Sequence, residues 1–591
     1  MTSRDRGPLL LLAGVLMAAL GAAWLPGQTL FARDLTYVFH PMNVWTAENL
    51  QAGRMPLWNP YVSGGVPWLG QPQTGVFYPG GLFFWLFSFV GGLKLFHGLH
   101  FLLSALGGYL WARSAGGTRA KALAAGILWS LNGFWRARAE FPPLLAALAW
   151  TPWMGIFLGR GVVALSLVGA LAAAAGYWPQ VVWSGILILA AAGTRRASAV
   201  WKAAPLAAGL CAAAIAPGVE LAFRSARAAG GFGAAAGFHP FSFMNELGLV
   251  WPWAGAMREF AYTGEKFFWL GCFFVGAVGT AIAAWAFLRS RTRARIALGG
   301  LFAAGAILAL GEATPLYAFL RDHVPPFGWV RNPGQFSFWM TGTVLILATV
   351  GSWRCRRPFG TILALAVGSE LLALGWGLVP TIGADYFHRA PAWLGPVRSG
   401  SGGLFLTPKA VVDMRAGGTS VGDAWDHLRE KGLNLTTLPY HVRNVNPFGF
   451  ALNPATTEKL LSGLYGAPSL REAAPLLDRL DVRWVASPSP LQGPGLRPVG
   501  DGPWHLYARE PAGVLPDGNL RRTSEMWDPG WTAWAGGKPR RTVNDGGLLS
   551  VVQEKGDPAP RLLFRSGAFR AGLGVTVLSW LALAAWGLRC L

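Results

Sequence analysis

Eleven carboxylates lie outside the polar region 381–568 of this 591-residue chain. Nine of them, Asp34, Glu48, Glu140, Glu220, Glu246, Glu259, Glu265, Glu312 and Asp322, fall in segments between apolar runs that one topology puts on a single membrane face. A carboxylate placed there can take a proton from a hydroxyl. Plainer readings compete at each position. Asp34 can pair with its neighbour Arg33 or cap the segment that follows. Glu140 closes Arg136-Ala-Arg138-Ala-Glu140, where a local ion pair would satisfy it. Trp58 and Asn59 can stack on and hydrogen-bond a sugar, but Trp also belongs at membrane interfaces. His40 precedes Pro41 and has no partner readable in the sequence, which favours a structural role. Asp322 and His323 are adjacent, which makes no dyad because neighbouring side chains diverge. Glu370 sits inside an apolar run, where an acid marks either function or a helix-packing hydrogen bond.

The elements that hold these groups are read from composition. Hydrophobic residues make up 53% of the chain and charged residues only 13%, about half the usual soluble fraction of roughly 25%. These values exclude a disordered chain, a coiled coil and a small disulfide scaffold, and they point to a multi-spanning membrane protein. The net charge of +22 does not indicate nucleic acid, because the basic residues sit in short clusters between apolar runs. The cysteines, Cys211, Cys272, Cys355 and Cys590, avoid the polar region and have no zinc spacing.

A span needs about 20 apolar residues. The expected spans are Pro8–Leu25, read as an uncleaved anchor, then 76–112, 119–136, 141–159, 161–177, 178–193, 199–217, 266–289, 295–311, 335–352, 358–380 and 569–588. In 76–112, Gly80-Gly81 and Gly91-Gly92 suggest a broken piece followed by one crossing. With about 12 spans and both termini inside, the clusters at 113–121, 195–202, 289–295 and 354–357 all become cytoplasmic, as the positive-inside rule requires. The first outer loop is then 26–75, with Asn43–Gln51 as an amphipathic helix lying on the membrane through Val44, Ala47 and Leu50.

Region 381–568 holds 17 of the 28 acids and alternates strand-like runs with turn signals, such as Asp528-Pro529-Gly530 and Asn544-Asp545-Gly546-Gly547. It reads as an extracytoplasmic α+β or β-rich domain with a helix over Pro454–Tyr465. The expected organisation is a transmembrane domain over 1–380, this domain over 381–568, and a membrane anchor over 569–591.

Asp34 after the first span, Pro56-Leu-Trp-Asn-Pro-Tyr61 and Gly65-Val-Pro-Trp-Leu-Gly-Gln71 resemble the YfhO-like bacterial membrane proteins, relatives of the GT-C glycosyltransferases. Val330-Arg331-Asn-Pro-Gly-Gln335-Phe resembles the family's Arg-x-Pro-x-Arg-Phe stretch. Leu480-Asp-Val-Arg-Trp-Val-Ala486 and Trp527-Asp-Pro-Gly-Trp531 resemble its later motifs, in the same order. Gln335 replaces the second Arg of that stretch, and Gly536 stands where the family has Asp.

The resemblance implies a mainly α, GT-C-like helical bundle in the bacterial cytoplasmic membrane. It also implies transfer of a sugar from a polyprenyl-phosphate carrier to a cell-envelope polymer, lipid or protein at the outer leaflet. In that frame Asp34 matches the first-loop acid that acts as a base or helps hold a metal such as Mg²⁺ or Mn²⁺, and Glu140 is the second carboxylate. Arg331 is the phosphate partner, because a guanidinium binds phosphate oxygens in a bidentate fork. His40, Trp58 and Asn59 complete the expected substrate contacts. The alternative is a non-catalytic lipid or glycan transporter, or an assembly scaffold, of the same fold.

Overall fold

The computed structural model describes residues 5–31, 33–192, 194–229, 241, 243–251, 268–324, 327, 330–353, 355, 358–376, 378, 380–412, 429–447, 449–450, 452–493, 495–511 and 519–590. Glu259, Glu265, Arg354, Arg356 and Arg357, assigned to opposite faces by the sequence, lie outside these residues.

The helical part begins with α1 (Arg6–Leu20), α2 (His40–Gln51), α3 (Phe89–Ser114) and α4 (Arg119–Leu131). It continues with α5 (Pro142–Ala149), α6 (Thr151–Phe157), α7 (Val162–Ala174), α8 (Trp178–Ala192), α9 (Thr194–Leu210) and α10 (Ala212–Arg224). Then come α11 (Gly276–Leu288), α12 (Thr292–Ala309), α13 (Ser337–Val350) and α14 (Phe359–Leu374). The C-terminal region adds α15 (Ala455–Tyr465), α16 (Leu470–Arg479) and α17 (Gly567–Cys590).

Four segments are long and apolar enough to cross a bilayer: Arg6–Trp24, Phe89–Ser114, Thr292–Ala309 and Gly567–Trp586. A bent pair, Arg196–Leu210 with Ala212–Arg224, makes a fifth, and α7, α8, α11 and α14 are shorter apolar helices. The hydropathy windows count apolar runs and do not register where a helix stops. In 141–159, Pro142-Pro143 opens α5 and Pro152 lies in the first turn of α6. Proline has no N–H to donate and is best accommodated in a first turn, and a new helix begins at each of these two sites. The stretch 76–112 is also broken. A five-residue helix, Leu82–Leu86, turns back at Ser88 before α3 starts, and a Cβ on Gly92 would sit 2.7 Å from the Phe83 carbonyl oxygen.

The core centres on α4. Every residue from Ala122 to Leu131 is buried, which is the mark of a helix surrounded by others. Small residues let its neighbours close in. A Cβ on Gly108 would lie 2.8 Å from the Ala125 carbonyl oxygen, and one on Gly126 would lie 2.9 Å from that of Ala105. Glu370 of α14 caps α11 by accepting the Ala277 and Val278 amide hydrogens at 2.6 and 3.0 Å. Those amides belong to a helix N-terminus, which favours a carboxylate.

Helices α9 and α10 meet at Cys211 with a 90° bend. The bend frees backbone groups that a straight helix would pair internally. Helix α17 supplies partners for two of them: Thr576 Oγ1 accepts the Ala213 amide hydrogen at 2.9 Å, and Trp580 Nε1 donates to the Leu210 carbonyl at 3.2 Å.

The first loop and the C-terminal region occupy one end of the bundle. Strand β1 (Gln28–Leu30) pairs antiparallel with β4 (Thr381–Gly383), and between them in sequence β2 (Trp58–Asn59) pairs with β3 (Val66–Pro67). The module beyond β4 holds a four-stranded sheet of β5 (Gly403–Leu406), β6 (Val482–Ser487), β8 (His505–Arg509) and β7 (Leu496–Asp501), in that order, with only β5–β6 parallel. Leu460, Leu461 and Leu464 of α15 and Leu477 of α16 pack on it with Val482 and Val485. Two three-stranded sheets follow. One contains β9 (Leu520–Met526), β13 (Leu548–Val552) and β12 (Thr542–Asp545), and the other β10 (Trp531–Ala535), β11 (Lys538–Arg540) and β14 (Arg561–Phe564). Asp528-Pro529-Gly530 turns the chain between β9 and β10, and Asn544 to Gly547 closes the β12–β13 hairpin. The opposite end of the bundle carries a different cluster, in which buried Asp5 is held by Tyr109, Arg113 and Arg119.

Helix α2 forms over His40–Gln51, and part of its surface packs within the loop, whereas Val44 and Leu50 stay half-buried. Its Trp45 packs edge-on against Trp68 at 4.9 Å, the Trp68 indole donates to Thr46 Oγ1, and Ala47 is buried. The loop folds back on its own aromatic residues and buries Trp45 and Ala47 of α2.

Candidate functional site

Asp34 and Glu140 come together across 106 residues. The Asp34 amide donates to Glu140 Oε2 at 3.2 Å. Arg33 lies between the two carboxylates, with Nε 3.2 Å from Asp34 Oδ1 and an Nη 3.7 Å from Glu140 Oε1. The plain reading of Asp34, an Arg33 pair, is therefore present, and the same guanidinium also serves Glu140. The Tyr37 hydroxyl adds a hydrogen bond to Asp34. Burial first, then the Asp34 charge, hold the Tyr37 phenol well above its ordinary range, so it stays a hydrogen-bond donor.

The two carboxylates differ in access. The Asp34 side chain is 22% exposed and that of Glu140 only 2%. Asp34 can meet a reactant, whereas Glu140 is placed to orient Asp34 and share the Arg33 charge. The segment beneath Glu140 is fixed from α3, where His97 bonds the Ala139 carbonyl at 2.7 Å.

A basic group lies beyond this pair. Arg138 is fully buried, with its guanidinium 3.3 Å from the Phe134 ring centroid and bonded to the Phe134 and Cys272 carbonyls. Tyr177, in the α7–α8 turn, feels the charges of Arg138 and Arg227 and hydrogen-bonds the Gln335 side chain. Arg227 in turn feels the like charge of Arg331. Desolvation and that like charge lower the Arg227 pKa from its ordinary value. Like charges near each other repel, and a bound oxyanion would relieve that repulsion. Gln335 stands where a second Arg was expected, and Arg227 supplies a second guanidinium from another part of the chain. Sequence reasoning missed Arg33 as a bridge, and also Tyr37, Tyr177 and Arg227.

The remaining expected contacts lie elsewhere. Trp58 is not presented as a sugar platform. Its ring packs against Trp531 and Phe564, each 4.9 Å between centroids, and its indole donates to Glu525 at 2.9 Å. Asn59 is fully buried and accepts the Tyr61 amide hydrogen, as in a turn. His40 is no phosphate partner. It is buried between Phe89 and Phe387, and burial, with lesser help from the Arg429 and His388 charges, lowers its pKa to about 3. His40 is thus neutral at ordinary pH. The unfolded imidazole, with a pKa near 6.5, binds the proton that the folded one refuses, so stability is complete above about pH 6.5 and falls as pH drops toward 3. His40→Phe is expected to remove one protonation step, so between pH 6.5 and 4 the variant should lose up to about 1.4 kcal/mol per pH unit less than the wild type. Parallel melting curves for the two proteins would contradict the neutral assignment.

Among the described residues no group of three His, Cys, Asp or Glu side chains could hold a metal ion. Asp34 and Glu140 make only a pair, and the Arg33 cation already lies against both. The protein alone therefore offers two carboxylates at this point, and Mg²⁺ or Mn²⁺ held there would take its remaining ligands from substrate phosphate and water.

Among the described residues Asp322 and His323 form no dyad: Arg321 pairs with Asp322 and Glu312, and His323 stacks on Phe319.

No family model matches the chain, and no curated protein matches it. Solved structures similar to the chain include two membrane enzymes. One is a cryo-EM structure of the mycobacterial arabinofuranosyltransferase AftD, with 17% identity, a TM-score of 0.48, and coverage of 90% of this chain and 43% of that one. The other is a crystal structure of the Archaeoglobus fulgidus oligosaccharyltransferase tethered to an acceptor peptide, with 11% identity, a TM-score of 0.42, and coverage of 81% and 69%. This chain thus spans less than half the length of the AftD chain.

Proposed function

We propose that this protein is a membrane glycosyltransferase. It moves a sugar from a polyprenyl-phosphate carrier to a hydroxyl of a cell-envelope acceptor. The observation that carries this reading is the Asp34–Glu140 pair, bridged by Arg33, with one carboxylate accessible and the other buried. The acceptor oxygen attacks the anomeric carbon as its proton passes to Asp34. The bond from that carbon to the phosphate oxygen breaks, and its electron pair leaves with the phosphate. Arg331, with Arg227 near enough to feel its charge, is assigned to stabilise the developing negative charge.

The bilayer would be the bacterial cytoplasmic membrane, with the β-rich module outside. The positive-inside rule supports this, because Arg113, Arg119 and Lys121 lie at the Asp5 end, away from the module.

A transport role is less well supported. It needs polar groups along the bundle, and Glu370, the intramembrane acid, has its oxygens committed to the α11 amides.

The test uses the purified full chain in detergent with a panel of short-chain polyprenyl-phosphate sugars and envelope extract. Mass spectrometry would follow release of lipid phosphate and labelling of the acceptor. Sugar transfer from one donor is expected. No transfer from any donor, with unchanged envelope glycans in a deletion strain, would overturn the reading.

A further inference from the structure

A cavity of about 340 Å³ opens where α10, the first loop and the module meet the start of α17. Five charged side chains line it: Glu220, Arg224, Asp528, Arg565 and Arg570. Leu69 and Phe564 are among its apolar walls. The acids are already engaged. Arg224 binds Asp528 at 2.8 Å and Glu220 at 3.3 Å, and Asp528 is only 3% exposed. Burial pushes the Asp528 carboxyl above its usual range despite that partner, so the acid is deep in the wall rather than at the mouth. Arg565 and Arg570 are exposed, and among the described residues neither guanidinium has an acidic partner. The cavity therefore has a net positive mouth over a neutralised floor.

Its position specifies the rest. Arg570 lies in the first turn of α17, and the apolar side chains that follow, Leu573, Val575, Val577 and Leu578, are 43 to 67% exposed. At 1.5 Å per residue, Leu573 is about one turn below Arg570. An anion in the cavity would thus have apolar helix surface directly beneath it. Arginine at such a level often only anchors a helix by reaching the interface. Anchoring alone does not account for two arginines and a third, Arg224, converging on one walled space.

We infer that this cavity binds the phosphate headgroup of an anionic lipid whose chains run down α17. Arg565 and Arg570 hold the phosphate oxygens, and Glu220 at the rim disfavours headgroups with extra negative charge. The site is separate from the Asp34 pair, so it neither requires the glycosyltransferase reading nor supports it.

The test uses the full chain in detergent, with native mass spectrometry of retained phosphatidylglycerol against phosphatidylcholine of the same tails. The wild type is expected to retain phosphatidylglycerol selectively. Arg565→Gln with Arg570→Gln should weaken retention roughly 30-fold, from a factor of about 5 per arginine. Glu220→Gln should strengthen it several-fold, a gain that misfolding cannot produce. Equal retention by the double variant, or no gain from Glu220→Gln, would overturn the inference. Displacement by low-millimolar inorganic phosphate would assign the site to soluble phosphate esters and overturn the lipid assignment.

Discussion

Asp34→Asn is expected to lower sugar transfer about 10²–10⁴-fold, the usual contribution of a positioned general base. The substitution keeps the size of the side chain and removes only its basicity. It leaves the Asp34 amide free to donate to Glu140, since that bond is made by the backbone. Arg33 retains Glu140 as a counter-ion at 3.7 Å. The melting temperature should therefore move little while turnover collapses, and donor binding should be retained. Complementing a deletion strain and profiling its envelope glycans by mass spectrometry gives the same answer in cells. Near-wild-type transfer at matched protein level would remove Asp34 from the chemistry, and with it the proposed mechanism.

Trp58→Ala should give the largest loss of stability, about 3 kcal/mol, at the lower end of the range for truncating a packed Trp because this ring is half-buried. The ring joins the first loop to the module by packing against Trp531 and Phe564, and its indole satisfies Glu525. Losing it should loosen the module, lower the melting temperature and expose the strands around Trp531 to limited proteolysis. Trp58→Phe keeps most of the packing and drops one hydrogen bond, so it should cost about 1 kcal/mol. A sugar-binding Trp58 would behave differently: Trp58→Ala would raise KM for a substrate with no change in melting. That result would reverse the structural assignment.

The local features of the module were legible in the sequence. Proline, glycine and asparagine punctuate it strongly, so the helix expected over Pro454–Tyr465 forms as Ala455–Tyr465, and both marked turns join strands. The bundle was less legible. Apolar runs read alike whether a helix continues or breaks, so hydropathy passed over the stops at Pro152 and Cys211. At the site, Asp34 was singled out by the family resemblance of the first loop, and Glu140 as the acid in the loop after the third expected span. Their shared Arg33 could not be, because that contact spans 107 residues and depends on how the first loop folds back. Arg227 carried no motif. Only the tertiary fold brings it near Arg331 and Tyr177. Trp58 and His40 misled because a packed aromatic side chain and a ligand-binding one look alike in sequence.

The clasp of α17 on the α9–α10 bend sets a clock on biosynthesis. The two bonds join positions 363 and 370 residues apart. A ribosome adding about 5–20 residues per second needs roughly 20–70 s to cover that distance. Throughout that interval the nascent bend is already made, while the Thr576 and Trp580 side chains that will cover its Ala213 amide and Leu210 carbonyl are still unmade. Exposed backbone groups of this kind are costly inside a bilayer. The bent pair is therefore a late-maturing joint, and a chain that stalls before α17 leaves membrane quality control a defect to recognise in its first half.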